Sequence, residues 1–529
     1  MKKTIIILLA ALLLLLSSCT NSVKAPDDSW ENIFLQYWNM MNTEFVHFSD
    51  DRSYDWDAVY EEYLPRFQAL DWTDKEDSVK AFAYFREIAV NAYDNHYNLT
   101  VTDAFGQKLV CSPAMLKKFA AAGGDINDYP DIVLINKYDV AYVTAVGNDG
   151  FAYDSDDILE RKVKAIPSYN EVEDLKGDGT TSLSYFHSPD GDINTEFPDD
   201  AYYGAEFSLI TDKVLETLPE EDKKIAAKWN LVLTSLDMSS YFFGVNKDNI
   251  FYVYFSDFGN PLFLYDIMIK DESELTPDDK EALTNVSVLL IRTMVQDVIK
   301  AVNDGTVTDA GLQTTLKDGI QGLAGLVKMY EVLHSVVKDD KWEVSSTVTK
   351  ENIKGVIVDI RGNGGGAVSF LEAFWGTFFT GETQFGYVRY KSGYSRLEYT
   401  PWTSFSIDKD FANEDLKETY KKPVALVVNG YSVSCSEISC VISKLLPSSA
   451  VVGHTTFGGT CGLTDRKIYN GGSFTAEHLS VYTTTYQFVD NNMESFEMKG
   501  ITPDVESALL DNTDDAYVKA VEWVKSHTV

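Results

Sequence analysis

Three serines spaced two apart, Ser432, Ser434 and Ser436, stand where an apolar run gives way to a helical pattern. Val424 to Val428 is continuously apolar, as a buried strand is, and Asn429-Gly430 is a turn pair. Ile438, Val441, Ile442 and Leu445 then fall on one helical face. A serine at such a junction can be held exposed, with nearby backbone N–H groups able to stabilise the oxyanion of a tetrahedral adduct. A serine helix cap produces the same pattern, and the G-x-S-x-G elbow of lipases is absent. On this segment alone, nucleophile and cap are both open, and so is the choice among the three serines.

A second strand-loop-helix unit precedes this one. It reads Gly355-Val-Ile-Val-Asp-Ile-Arg-Gly-Asn-Gly-Gly-Gly-Ala367, followed by an apolar helical stretch from about Ser369 to Phe379. Glycines between a strand and a helix leave backbone N–H groups facing outward, and the helix adds its positive end, which suits an anion or an oxyanion. Gly362, Gly364 and Ala367 also fit the dinucleotide fingerprint loosely, and a plain tight turn fits as well.

These two units need a scaffold, and at 529 residues the chain is long enough for two or three packed units. From Ser29 to about Ala92, aromatics recur at helical spacing (Trp30, Phe34, Tyr37, Trp38), predicting a helical N-terminal domain over 29–125. Residues 126–240 mix short β-like runs such as Asp131 to Ile135 with Gly/Asp-rich turns, an α+β segment without an assigned role. Within it, Asp190 to Glu196 alternates oxygen ligands but lacks the twelve-residue calcium loop, so it reads as turn chemistry and no metal site is expected. From 241 to 529 the pattern is α/β. Ile250 to Phe255 reads as a buried strand. Thr276-Pro277 should open a long helix carrying Ile291, Met294, Val295 and Val298, and a second helix spans about Leu312 to Val337. Together they predict a helical insertion over about 271–349.

The first residues have another job. Lys2 and Lys3 precede an apolar run from Ile5 to Leu16, too short to span a bilayer and suited to an export signal over 1–18, with a polar tether over 19–28. The sequence Leu16-Ser-Ser-Cys19 resembles the box at which bacterial lipoprotein signals are cut and the cysteine acylated; an ordinary cleaved signal is the alternative. Cys111, Cys435, Cys440 and Cys461 show no CxxC pair or metal-ligand spacing, so they should be buried or paired. With 81 Asp+Glu against 45 Lys+Arg, a net charge of -36 repels phosphate backbones and argues against a nucleic-acid partner.

Taken together, the two units resemble the serine peptidase family of the C-terminal-processing peptidases and the tricorn protease core. Asp359-Ile-Arg-Gly-Asn-Gly-Gly-Gly366 is similar to its D-x-R-x-N-x-G-G loop, and Ser434-Cys-Ser-Glu437 to its S-A-S-E nucleophile segment. Val452-Gly-His-Thr-Thr-Phe-Gly-Gly459 and Lys499-Gly-Ile-Thr-Pro-Asp-Val505 resemble its V-G-x-x-T-x-G and G-x-x-P-D-V blocks, in the same order. The resemblance implies an α/β fold with a crotonase/ClpP-like ββα core and no cofactor.

Its register, with the reactive serine three residues before the glutamate, selects Ser434. Where one branch carries a catalytic lysine this chain has Gly459. The tricorn-like branch takes a histidine from a D-G-H segment, which Asp94-Asn-His96 resembles, although Asn95 stands where a tricorn-type site carries serine. Glu497, in Phe496-Glu-Met-Lys-Gly500, falls where that branch has a glutamate linked to the nucleophile. The resemblance thus implies Ser434, His96 and Glu497 as catalytic residues. The backbone N–H groups of Cys435 and Gly365 would form the oxyanion hole. The expected function is serine-type hydrolysis of peptides or unfolded proteins, in a protein anchored through Cys19 at the bacterial cell envelope, on the outer membrane. A catalytically silent peptide or apolar-ligand binder on the same scaffold is the alternative.

Overall fold

The computed structural model describes residues 28–528 except 51–54, 90, 113–129, 135–139, 145–201, 206, 208, 237–239, 260–266, 346–347, 393–394, 464–472 and 509–513. The expected signal, Cys19, the Asp190–Glu196 loop and much of the 126–240 segment lie outside the described residues. The chain divides into two compact units.

The first unit draws on the N-terminal 168 residues together with 391–399 and 463–485. Helix α1 (Trp30–Glu44) starts at Ser29, whose hydroxyl oxygen accepts the Asn32 N–H at 3.2 Å, and it buries Trp30, Ile33, Phe34 and Tyr37. It packs with α2 (Trp56–Gln68) and α3 (Lys75–Ala89) around an aromatic core. The unit is more than helical. Strands Asn98–Thr102 and Lys108–Cys111 join a six-stranded antiparallel sheet in which Leu479–Tyr482 pairs with Asn98–Thr102. That strand comes from almost four hundred residues downstream, a pairing that local periodicity does not encode.

The second unit is the α/β part. Its large sheet contains β1 (Tyr202–Ala205), β2 (Tyr241–Val245), β3 (Phe251–Phe255), β4 (Val356–Asp359), β5 (Val424–Val428), β6 (Ser449–Gly453) and β7 (Val505–Glu506), in sequential order across the sheet. Strands β1 to β3 are antiparallel neighbours, and β3 to β7 run parallel. Successive residues of the central strands feed two separate cores: Val356, Val358, Val424 and Leu426 enter one, and Ile357, Ala425 and Val427 the other. With both faces covered, these strands must be apolar throughout, which is why they read as unbroken apolar runs.

Between β3 and β4 lie α4 (Val286–Asn303) and α5 (Ala310–Asp339), the helical insertion expected for this ββα core. The long helix expected from Thr276 breaks in two. A short helix, Pro277–Ala282, ends, and Asn285 caps a new one by accepting the Ser287 N–H at 2.9 Å. An asparagine side chain competes with the backbone for that N–H, so it starts a helix better than it continues one. Helix α6 (Val368–Gly376) follows β4, α7 (Cys435–Ser443) follows β5, and α8 (Asp515–His527) contributes Tyr517, Ala520 and Val524 to the second core. The four cysteines inside the described residues are buried, and none of them is in a disulfide.

Candidate active site

Parallel pairing of β4 with β5 sets Asp359 opposite Val427, so the glycine loop and the serine loop leave the carboxyl edge of the sheet side by side. Each loop then satisfies the other. Asn429 Oδ1 accepts the Gly362 N–H at 3.0 Å, and the Val433 N–H donates to the Asn363 carbonyl at 3.0 Å.

That mutual pairing separates the three serines. The Ser432 hydroxyl donates to the Ile360 carbonyl at 2.8 Å, and the Ser436 hydroxyl to Asn363 at 2.8 and 2.9 Å; both side chains are fully buried. They are the mortar of the loop. Ser434 differs in each respect: it is half-buried, and within its unit its hydroxyl donates to no acceptor. It also sits at φ 58° and ψ -115°, a region that costs a non-glycine residue about 1–3 kcal/mol and persists only when its surroundings over-determine it.

Gly365 supplies part of that constraint. A Cβ on Gly365 would stand 2.6 Å from Ser434 Cβ and 2.8 Å from the Val433 carbonyl oxygen, and its φ is +96°. Only glycine allows the two loops to approach so closely. The Gly365 N–H donates to Asn363 Oδ1 at 2.8 Å, whereas the Cys435 N–H, at the first turn of α7, has no acceptor among the described residues. The Cys435 thiol donates to the Gly366 carbonyl at 3.2 Å, and burial pushes its pKa up to about 12, which keeps it protonated and unreactive beside the serine.

A buried carboxylate ties a third loop to this junction. Glu437 Oε1 accepts from the Thr456 hydroxyl (2.6 Å) and the Gly458 N–H (2.7 Å), and Oε2 accepts from the Gly459 N–H (2.6 Å). In return, the Gly459 carbonyl accepts the Ser434 N–H at 3.0 Å. Burial pushes the Glu437 pKa up to about 7 against these donors, and the charge of Glu497 adds to the rise. Glu497 is itself fully buried and accepts the Cys461 N–H at 2.9 Å, two residues beyond Gly459.

The charged residues of the Asp359-x-Arg361 segment face away from chemistry. Arg361 is buried, forks onto Asp514 (2.6 and 2.7 Å) and meets Asp359 at 2.7 Å, while the Tyr252 hydroxyl donates to Asp359 at 3.0 Å. Asp514 is also the cap of α8, accepting the Tyr517 N–H at 3.0 Å. The glycine loop is thereby pinned to the C-terminal helix. Asp514 and Tyr252 carried no signal in the sequence. Glu437 carried one, the S-x-x-E spacing of a capping box, which the family register absorbed as a landmark.

The structure therefore gathers Ser434, Cys435, Gly365 and, through the Glu437 loop, Glu497 in the second unit. His96 lies in the first, in the turn between α3 and the strand Asn98–Thr102. Its backbone N–H donates to Asp94 Oδ1 at 2.8 Å, and Asp94 Oδ2 accepts from the Thr483 hydroxyl (2.7 Å) and the Thr484 N–H (2.8 Å). The buried His96 Nδ1 has no hydrogen-bond partner among the described residues.

Residues 324–507 match the model of Peptidase family S41, and residues 26–71 match that of the Tricorn protease C1 domain. The nisin-resistance protein of Lactococcus lactis subsp. lactis is 27% identical over 184 residues, covering 35% of this chain and 54% of that protein. The carboxy-terminal processing protease CtpA of Bacillus subtilis (strain 168) is 24% identical over 244 residues, covering 46% and 47%. The chain thus spans about half the length of these curated relatives. A crystal structure of a putative peptidase from Parabacteroides merdae overlays 94% of this chain and 97% of its own, at 15% identity and a TM-score of 0.43.

Proposed function

We propose that this chain, whose residues 324–507 match peptidase family S41, is an exported serine peptidase of the tricorn-like, histidine-using kind, with Ser434 as nucleophile. What carries the reading is the contrast among the three serines: Ser432 and Ser436 spend their hydroxyls on the glycine loop, and Ser434 is held strained, accessible and undonated beside a Cys435 N–H without an acceptor.

In this reading His96 takes the proton of Ser434 Oγ as that oxygen attacks a peptide carbonyl carbon, and then passes it to the departing amine. Water hydrolyses the acyl-enzyme by the reverse route. The Cys435 N–H receives the oxyanion together with the Gly365 N–H, which must then be shared with Asn363. Glu497 acts through the backbone of Cys461 rather than on substrate. Gly459, where the other branch has lysine, donates its N–H to Glu437 and leaves His96 as the base. Acylation of Cys19 after signal cleavage would anchor the enzyme at the bacterial cell envelope, on the outer membrane, with peptides or unfolded proteins as substrates.

The test is labelling of the mature protein by a serine-reactive fluorophosphonate, with hydrolysis of a peptide library read in parallel. Labelling and hydrolysis are expected in the wild type and absent in Ser434→Ala. Equal labelling of Ser434→Ala would exclude it as nucleophile, and a wild type that binds peptides but never labels would mark a silent relative.

A further inference from the structure

Among the described residues of the second unit, the fully buried carboxylates are all engaged. Asp222 accepts the Asp309 N–H, Asp359 and Asp514 hold Arg361, and Glu437 and Glu497 each accept loop amides. Glu372 on α6 breaks this rule. It is half-buried, yet it makes no hydrogen bond or ion pair with any described residue. A carboxylate withdrawn from water without a partner is costly, and such groups point to something that arrives later.

Its position says what arrives. Gly364, Gly366, Ala367, Val368, Ser369 and Glu372 form an accessible strip, while every other residue of α6 is buried. The strip begins at the glycine loop that touches Ser434, and Glu372 follows Val368 by one helical turn on the same face. At 1.5 Å per residue, the Cα of Glu372 is about 6 Å beyond that of Val368 along the helix axis. Glu372 is also close enough to Cys435, the residue after the nucleophile, for its charge to help raise that thiol's pKa.

We infer that Glu372 is a specificity residue, which receives the cationic side chain of a lysine or arginine lying near the scissile bond. The inference rests on the peptidase reading and adds a substrate class to it. Burial, followed by repulsion from Asp408, pushes the Glu372 pKa up to about 7, and an arriving cation relieves both. The net charge of -36 favours the same class, because a field of one sign draws oppositely charged peptides toward the site.

The test compares kcat/KM for peptides that differ only by Lys, Gln or Glu at single positions around the cleaved bond. At one position Lys should exceed Gln about tenfold in the wild type, as expected for a charge-assisted contact in a partly desolvated site. Glu372→Gln should erase that preference, and Glu372→Lys should turn it toward Glu. Fluorophosphonate labelling of Ser434 should be unchanged in both variants, because the probe carries no peptide side chain. A wild type that labels and cleaves without regard to charge overturns the inference and leaves the peptidase reading intact, as does a Glu372→Gln variant that keeps the preference. A wild type that neither labels nor cleaves removes both.

Discussion

Replacing Glu437 by glutamine changes one atom type in a fully buried side chain and should alter how stability depends on pH. The folded carboxyl has a pKa of about 7 against an ordinary 4.5, so between those values the native state holds a proton that the unfolded chain has released. Stability contributed by such a group is complete below about pH 4.5 and is lost as pH rises through about 7. At 1.36 kcal/mol per unit, the loss is about 3 kcal/mol. Glutamine has no proton to release, so the variant lacks this loss. It bears a separate, pH-independent cost, because its amide nitrogen must face the Gly459 N–H now accepted at 2.6 Å. Urea unfolding of both proteins from pH 4.5 to 8.5 should therefore give curves that converge with rising pH by about 3 kcal/mol in their difference. Parallel curves would refute the claim that burial, rather than the three loop donors, dominates Glu437.

Asp514→Ala should cost about 3–5 kcal/mol in the same assay, because it leaves the buried Arg361 guanidinium short of a partner and α8 without its cap; a loss below about 1 kcal/mol would show that water replaces the carboxylate. Gly365→Ala should fold less stably and slow fluorophosphonate labelling of Ser434 by about 100-fold or more, since the new Cβ collides with Ser434 and displaces the proposed oxyanion donor; labelling at the wild-type rate would remove Gly365 from the proposed site.

Much of the scaffold was legible locally. The aromatic stripe of α1, the unbroken apolar strands β3, β4 and β5, and the capped start of the helical insertion all follow from side-chain spacing, and each formed close to where the spacing put it. The break at Asn285 was missed because apolar periodicity continues across it, while a single side-chain hydrogen bond restarts the helix. The composition of the first unit was out of reach for another reason: its strand Leu479–Tyr482 pairs with Asn98–Thr102, and pairing across such a separation depends on the completed fold.

For the site itself, the two strand-loop-helix segments offered three serines and a glycine loop, and it was the family resemblance that implied Ser434, Gly365, Cys435, His96 and Glu497 among them and beyond them. What those residues do to one another was decided by tertiary contacts. Ser432 and Ser436 became structural only when their hydroxyls met a loop more than seventy residues earlier in the chain, and Arg361 only when it met Asp514, 153 residues away. Hydrogen bonds and buried ion pairs have ranges of a few ångströms and no memory of sequence distance. The sequence could therefore specify which groups were available, while packing alone determined which of them were used up and which, like Ser434 and Glu372, were left facing outward.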